Sequence, residues 1–357
     1  MIPVTKAYLP NKAKYQAYVN DIYGRGWLTN RGVLVQELER RLAEYLGVKH
    51  LICVANGSLA LQLAYKALDL KGEVITTPFS FAATVSTITW EGLRPVFGDI
   101  DPNSYNLDPC NIEPLITEKT SALVPVHVFG NPCKAEEIKI IAEENNLKVI
   151  YDAAHAFGVE YKDQNILNYG DISTVSFHST KIFHSIEGGA LITNDDDLAK
   201  KIRTQINFGI SGSGEINLVG TNAKMNEFEA AMGLCVLDEI DLITNQRKEI
   251  CKTYQETLGD LVTFQSWNKD SQNNYAYAPV LFKSEEELLR VNAALNIKHI
   301  FARRYFYPSL DTLSYLQSEQ VLTTSRDISK RILCLPLYSG LAVQEQKIIV
   351  DTIKKNL

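Results

Sequence analysis

From about residue 47 to residue 195, short apolar runs alternate with stretches of helical periodicity. The runs at 50–55, 73–77, 94–99, 122–128, 147–152, 173–177 and 189–193 have the length of strands. Several are apolar without interruption, as strands covered on both faces are. Between them, 59–65, 82–90 and 135–145 carry apolar residues at helical spacing. This βα alternation predicts a mostly parallel, doubly wound sheet with helices on both sides. A long helical pattern over 225–244 (Phe228, Ala231, Met232, Cys235, Val236, Ile240) leads out of the region. The remainder of the chain mixes helices with strand-like 278–282 and 300–303. The expected division is a large α/β domain over 1–240 and a small α+β domain over 241–357, which a chain of 357 residues accommodates. Ser211-Gly212-Ser213-Gly214 reads as a loop.

Charge and cysteine usage narrow the setting. A net charge of −6 and a pI near 5.6 argue against a general nucleic-acid surface, and no basic run is interleaved with aromatics. The six cysteines form no CxxC pair, and none has a histidine at metal-ligand spacing, so no metal site is expected. They read as small buried hydrophobes of a reducing compartment. Met1-Ile2-Pro3-Val4-Thr5-Lys6 lacks the apolar core of a signal peptide, and no stretch approaches the ~20 apolar residues of a membrane span. The expected location is cytoplasmic.

In a doubly wound sheet, chemistry gathers at the carboxyl ends of the strands. Asn56-Gly57-Ser58, Phe79-Ser80-Phe81, His127, Asp152 and Lys181 all fall there. Lys181 stands in Ser176-Phe177-His178-Ser179-Thr180-Lys181, ahead of Glu187-Gly188-Gly189 and 29 positions (181 − 152) after Asp152. A lysine that condenses with an aldehyde, and an aspartate that faces a pyridinium nitrogen, are what pyridoxal phosphate (PLP) asks of a protein. Asp152 also has the simpler reading of a helix N-cap. His155 would reach the ring's phenolic oxygen, or be a satisfied core histidine. Gly57 and Ser58, opening a helix after a strand, suit a phosphate, with Ser176 as a second ligand. Phe81 would stack on the cofactor ring or simply pack in the core. Asn222 would contact the phosphate from a neighbouring subunit or occupy a turn. Arg303-Arg304, with Tyr305 and Tyr307, would meet a substrate carboxylate or diphosphate, or form a solvated edge.

These motifs resemble the DegT/DnrJ/EryC1/StrS family of nucleotide-sugar aminotransferases over nearly the whole chain. The resemblance runs from Gly26-Trp27-Leu28-Thr29 with Gly32, through Gly57-Ser58-Leu59-Ala60-Leu61, Pro95-Val96-Phe97-Gly98-Asp99 and His127-Val128-Phe129-Gly130, to the Asp152 and Lys181 motifs, Asn222 and Leu335-Pro336-Leu337-Tyr338. It implies the PLP-dependent fold type I of aspartate aminotransferase and a homodimer with shared active sites. It carries functional roles to Lys181, Asp152, His155, Ser176, Gly57, Ser58, Phe81 and Asn222. Ser-Phe-His-x-x-Lys with Glu-Gly-Gly is similar to members that aminate C4. The implied reaction moves an amino group from L-glutamate to C4 of a dTDP-4-keto-6-deoxyhexose. The implied product is a dTDP-4-amino-4,6-dideoxyhexose of gluco configuration for surface polysaccharide such as O-antigen. Transfer to C3 or to a cyclitol ketone is the enzyme alternative. A regulatory protein on this fold would need a DNA-binding appendage, and the chain has no basic recognition helix. Three positions depart from the family pattern: Lys224 where relatives often have Arg, Ser58 where many have Thr, and Ser309-Leu310 where Leu-His is common.

Overall fold

The computed structural model describes residues 1–212, 214–316, 318 and 320–357; Ser213 of the expected loop lies outside the described residues. The central sheet contains β1 (His50–Val54), β2 (Glu73–Thr76), β3 (Arg94–Phe97), β4 (Thr120–Val124), β5 (Lys148–Asp152), β6 (Ile172–Ser176) and β7 (Gly189–Thr193). Their spatial order is β1-β7-β6-β5-β4-β2-β3. β7 is antiparallel to both its neighbours, and every other pairing is parallel. The expected α/β architecture is therefore present, and six of the seven strands end within two residues of their sequence-derived limits. β4 stops short of the apolar run that suggested it because Pro125 has no N–H to continue the ladder.

Strands buried on both faces explain why those runs are continuous. Leu51 and Cys53 enter one core cluster while Ile52 and Val54 enter another, and Leu123 and Val124 divide in the same way. One face is covered by α3 (Gly57–Ala67) and α6 (Asp196–Gln205). The other meets α2 (Val33–Leu46), α5 (Ala135–Glu144) and α7 (Glu227–Leu237).

The helical pattern over 225–244 is two helices, α7 and α8 (Ile240–Leu258). At the break, Asp238 binds Lys14 and Arg41, and Glu239 accepts from Tyr8 Oη and the Asn11 amide. The two acids are thus committed to the N-terminal segment, which contains α1 (Lys12–Arg25).

A further core unites Ile250, Tyr254 and Leu258 of α8 with Val280, Leu288, Val291, Leu333 and Ile349. It is built on an antiparallel sheet of Thr263–Phe264, Pro279–Leu281 and Ile332–Cys334. Ile2 joins this core, and Ile2–Pro3 pairs in parallel with Ile300–Phe301. Among the described residues, no helix is long and apolar enough to cross a membrane.

Candidate active site

At the carboxyl edge of the sheet a cavity of about 320 Å³ opens between the strand ends and the segments around Tyr277 and Arg303. Asp152, Ser176, Lys181, Gly57, Ser58, Phe81 and His155 all line it. Asn222 does not. It is exposed, paired through its backbone with Asn207, and precedes Ala223, whose carbonyl accepts from the Ala55 amide beyond β1.

Lys181 sits on the connection between β6 and β7, in a turn closed by its own amide to the His178 carbonyl at 2.8 Å. Its Nζ donates to Tyr277 Oη at 3.2 Å. Burial is the main influence on this amine and lowers its pKa to about 8, against the opposing charges of Asp152 and Tyr305. Asp152, the last residue of β5, is buried with its backbone paired to Pro125 and His127. Its Oδ2 accepts from Thr84 Oγ1 at 2.8 Å and its Oδ1 from the Ala154 amide at 3.1 Å. Burial pushes this carboxyl above its ordinary range, while those hydrogen bonds and the charge of Lys181 pull it back. No helix follows Asp152, so the N-cap reading does not apply. Asp152, buried, and Lys181, half-buried, are both drawn towards their neutral forms, so each gains from an opposite charge brought into the cavity.

His155 is buried, stacked on Phe306 at 5.7 Å and edge-on to Tyr277 at 4.8 Å. Its Nδ1 accepts from the Phe129 amide at 3.2 Å, which assigns the proton of the neutral ring to Nε2. Burial, then the charge of Lys181, hold its pKa well below the usual histidine value, so the ring acts as a neutral N–H donor.

The first turn of α3 supplies an anion seat. Asn56 caps the helix by accepting from the Leu59 amide at 2.9 Å, and its carbonyl takes the Ala60 amide. The Gly57 and Ser58 amides are left without helical acceptors at the positive end of the helix. A Cβ on Gly57 would stand 3.0 Å from the Ser176 Cβ and 3.3 Å from its Oγ, so glycine keeps this cradle open. Phe81, at the start of α4 (Ala82–Trp90), presents a 54% exposed ring at the wall.

These residues fit PLP. The cradle suits a phosphate dianion, the Asp152 carboxylate suits a protonated ring nitrogen, and a half-buried amine of lowered pKa suits attack on an aldehyde.

Thr84, Ser80, Tyr277, His178 and Glu187 had no role assigned from the sequence, although Ser80 falls at a strand end and His178 and Glu187 flank Lys181. Ser80 hydrogen-bonds Thr84 at 2.8 Å; because Thr84 donates its one proton to Asp152, Ser80 is the donor. Their signal was two hydroxyl residues one helical turn apart at the start of α4. Tyr277 lies 96 residues from Lys181 and carries no local signal. His178 and Glu187, 3.6 Å apart on the wall, were read as family text rather than as lining groups. The Arg303-Arg304 pair divides. Arg303 lines the cavity over the Tyr305 ring, whereas Arg304 binds Glu285 at 2.6 Å and the Lys330 carbonyl at 2.8 Å.

The chain is similar along nearly its whole length to proteins of known name and structure. The dTDP-4-amino-4,6-dideoxy-D-glucose transaminase of Shigella dysenteriae is 42% identical over 361 residues, spanning 99% of this chain and 98% of that protein. The protein of the same name from Escherichia coli is 39% identical over 363 residues, spanning 99% and 97%. The crystal structure of DesI in the presence of its TDP-sugar product superposes with a TM-score of 0.94 at 34% identity, covering 99% of this chain and 92% of that one. Residues 11–354 match the DegT/DnrJ/EryC1/StrS aminotransferase family, and the chain belongs to it.

Proposed function

We propose that this enzyme transfers an amino group from L-glutamate to C4 of a dTDP-4-keto-6-deoxyhexose. The product would be the gluco dTDP-4-amino-4,6-dideoxyhexose, made in the cytoplasm for a surface polysaccharide. The observation that carries the reading is the meeting of the Lys181 amine and the Asp152 carboxylate in one buried cavity beside an anion seat. The names of the relatives from Shigella dysenteriae and Escherichia coli support the choice of sugar and of C4.

Pyridoxal phosphate, when bound, supplies an electron sink for the charge left by proton removal. The chain's own residues do the rest. The Gly57 and Ser58 amides and the Ser176 hydroxyl would hold the phosphate, joined by Asn222 from the second copy of a homodimer. Asp152 would keep the ring nitrogen protonated. His155 Nε2–H would donate to the phenolic oxygen, and Phe81 would cover the ring. Lys181 Nζ takes the proton from the amino acid's α-carbon and returns a proton in the second half of the cycle.

The test begins with the visible absorption of the PLP-loaded protein before and after glutamate, followed by addition of dTDP-4-keto-6-deoxyglucose. Bleaching by glutamate, and a product carrying nitrogen at C4 by NMR, are the expected results. An unresponsive band would refute the donor, and nitrogen at C3 would refute the regiochemistry.

A further inference from the structure

On the aminotransferase reading above, Lys181 is covalently held for part of each cycle and free for the rest. A free amine on a flexible four-carbon stem has many places to settle in a cavity of about 320 Å³. The structure gives it one. Its Nζ donates to Tyr277 Oη at 3.2 Å and lies 5.7 Å from the centroid of that ring. The ring is fixed by its neighbours: His155 edge-on at 4.8 Å, Phe129 at 5.4 Å and Tyr305 at 5.7 Å. The backbone leading to it is fixed as well. Arg247, buried in α8, donates from Nε to the Tyr275 carbonyl at 2.9 Å and from Nη2 to the Ala276 carbonyl at 2.7 Å. A buried guanidinium that spends its donors on two successive carbonyls is a costly way to hold a strand lead-in, and it ends one residue before Tyr277.

The other ionisable groups of the cavity wall are Asp152 at the end of β5, His178 and Glu187 on the Lys181 connection, His155, and Arg303 with Tyr305. Among the described residues, Tyr277 is the side chain hydrogen-bonded to the amine. We propose that Tyr277 is a positioning residue for transamination: its hydroxyl is the seat to which the released Lys181 amine returns, with Arg247 holding that seat in place. The hydroxyl keeps its own proton throughout, since burial holds the phenol well above its ordinary range. It accepts from the amine and transfers nothing. Held there, the amine is kept to one orientation instead of collapsing onto Asp152.

The experiment compares wild type with Tyr277→Phe, which removes one oxygen and keeps the ring contacts. Apoprotein is labelled with trace formaldehyde and cyanoborohydride across a pH series, and the Lys181 peptide is quantified by mass spectrometry. Loss of an acceptor disfavours the ammonium, so the labelling midpoint should fall by roughly one pH unit. In the holoenzyme kcat should fall roughly tenfold to a hundredfold, with KM for both substrates within about threefold. An unchanged midpoint with unchanged kcat overturns the proposal, and so does an effect confined to KM. A wild-type protein that takes up no PLP would defeat the aminotransferase reading instead. The labelling comparison would still stand, so the two failures are read separately.

Discussion

Thr84 donates its hydroxyl to Asp152 Oδ2 at 2.8 Å, and Ser80 donates in turn to Thr84 at 2.8 Å. With Oδ1 taking the Ala154 amide, the carboxylate is held by α4 on one side and by its own turn on the other. The remaining lone pairs are what a ring nitrogen can use. Thr84→Val keeps the shape of the side chain and strands Oδ2 in a buried setting. The loss should be about 1–3 kcal/mol of stability, with the carboxyl driven further towards its protonated form. Because a protonated carboxyl is a poorer partner for a pyridinium, affinity for PLP should weaken roughly tenfold, measured by absorbance titration of apoprotein. Unchanged affinity would mean that the orientation of Asp152 does not depend on α4.

Glu227 is a buried carboxylate whose oxygens accept from the Leu34 and Val35 amides at 3.0 Å each, with Arg25 at 3.2 Å. It caps the N-terminus of α2 from the first turn of α7, where the helix's own N-cap, Gly32, has no side chain to do so. The two facts are connected: a Cβ on Gly32 would stand 2.5 Å from the Glu227 carboxyl carbon. Glu227→Ala leaves two helix amides unpaired and leaves Arg25 with Asp21 as its remaining carboxylate, and should cost roughly 2–4 kcal/mol in urea unfolding. Gly32→Ala should also destabilise, by displacing the same carboxylate. A loss below about 1 kcal/mol in both would show that water replaces the cap.

The seven-stranded sheet was legible because a strand buried on both faces must be apolar at successive positions, as Leu51-Ile52-Cys53-Val54 is, whatever its neighbours are. The extent of α4, Ala82–Trp90, was legible for the parallel reason of period. Lys181 and Asp152 were legible because strand ends mark where a doubly wound sheet collects its chemistry. Features that join residues far apart in the chain were not. Glu227 and the α2 amides are separated by 192 and 193 residues, and Tyr277 and Lys181 by 96. A buried glutamate reads in sequence as an ordinary first-turn acid, and a tyrosine beside a strand as core. The break between α7 and α8 was hidden for the same reason, since Asp238 and Glu239 are turned outward by Lys14, Arg41 and the Asn11 amide.

The pH dependence of stability offers an independent view of Lys181. Its folded pKa lies at about 8, against an ordinary lysine value of 10.5. Between the two the unfolded chain binds more protons, so stability rises with pH across that window, and the cost of the half-buried ammonium is fully present below it. That cost is at most roughly 3 kcal/mol, and partial solvent contact reduces it to on the order of 2. Lys181→Met should therefore make the apoprotein more stable near neutral pH, with the advantage shrinking as pH passes about 8 and approaches 10.5. Urea unfolding at both ends of the window checks it. A constant difference would mean that the amine is not desolvated in the apoprotein.

Arg303 and Arg304 are adjacent and face different tasks. Arg304 is committed to Glu285 and the Lys330 carbonyl and lies over the Tyr307 ring at 3.7 Å. Arg303 is anchored through its backbone, which exchanges hydrogen bonds with Cys334 at 2.8 and 3.1 Å and accepts from the Tyr305 amide at 3.0 Å. Its guanidinium lies 5.0 Å over Tyr305 at the cavity wall, and it has no ion-pair partner among the described residues. A cation placed there without a carboxylate is free to meet a substrate's carboxylate or diphosphate. Arg303→Ala should raise KM by roughly tenfold, with kcat and unfolding little changed. Which substrate is affected tells the two anions apart: glutamate for the carboxylate, the nucleotide sugar for the diphosphate. Arg304→Ala should lower stability by about 1 kcal/mol and leave both KM values near wild type. If the two variants behaved alike, the pair would act as one structural edge, and the substrate's anion would be bound elsewhere.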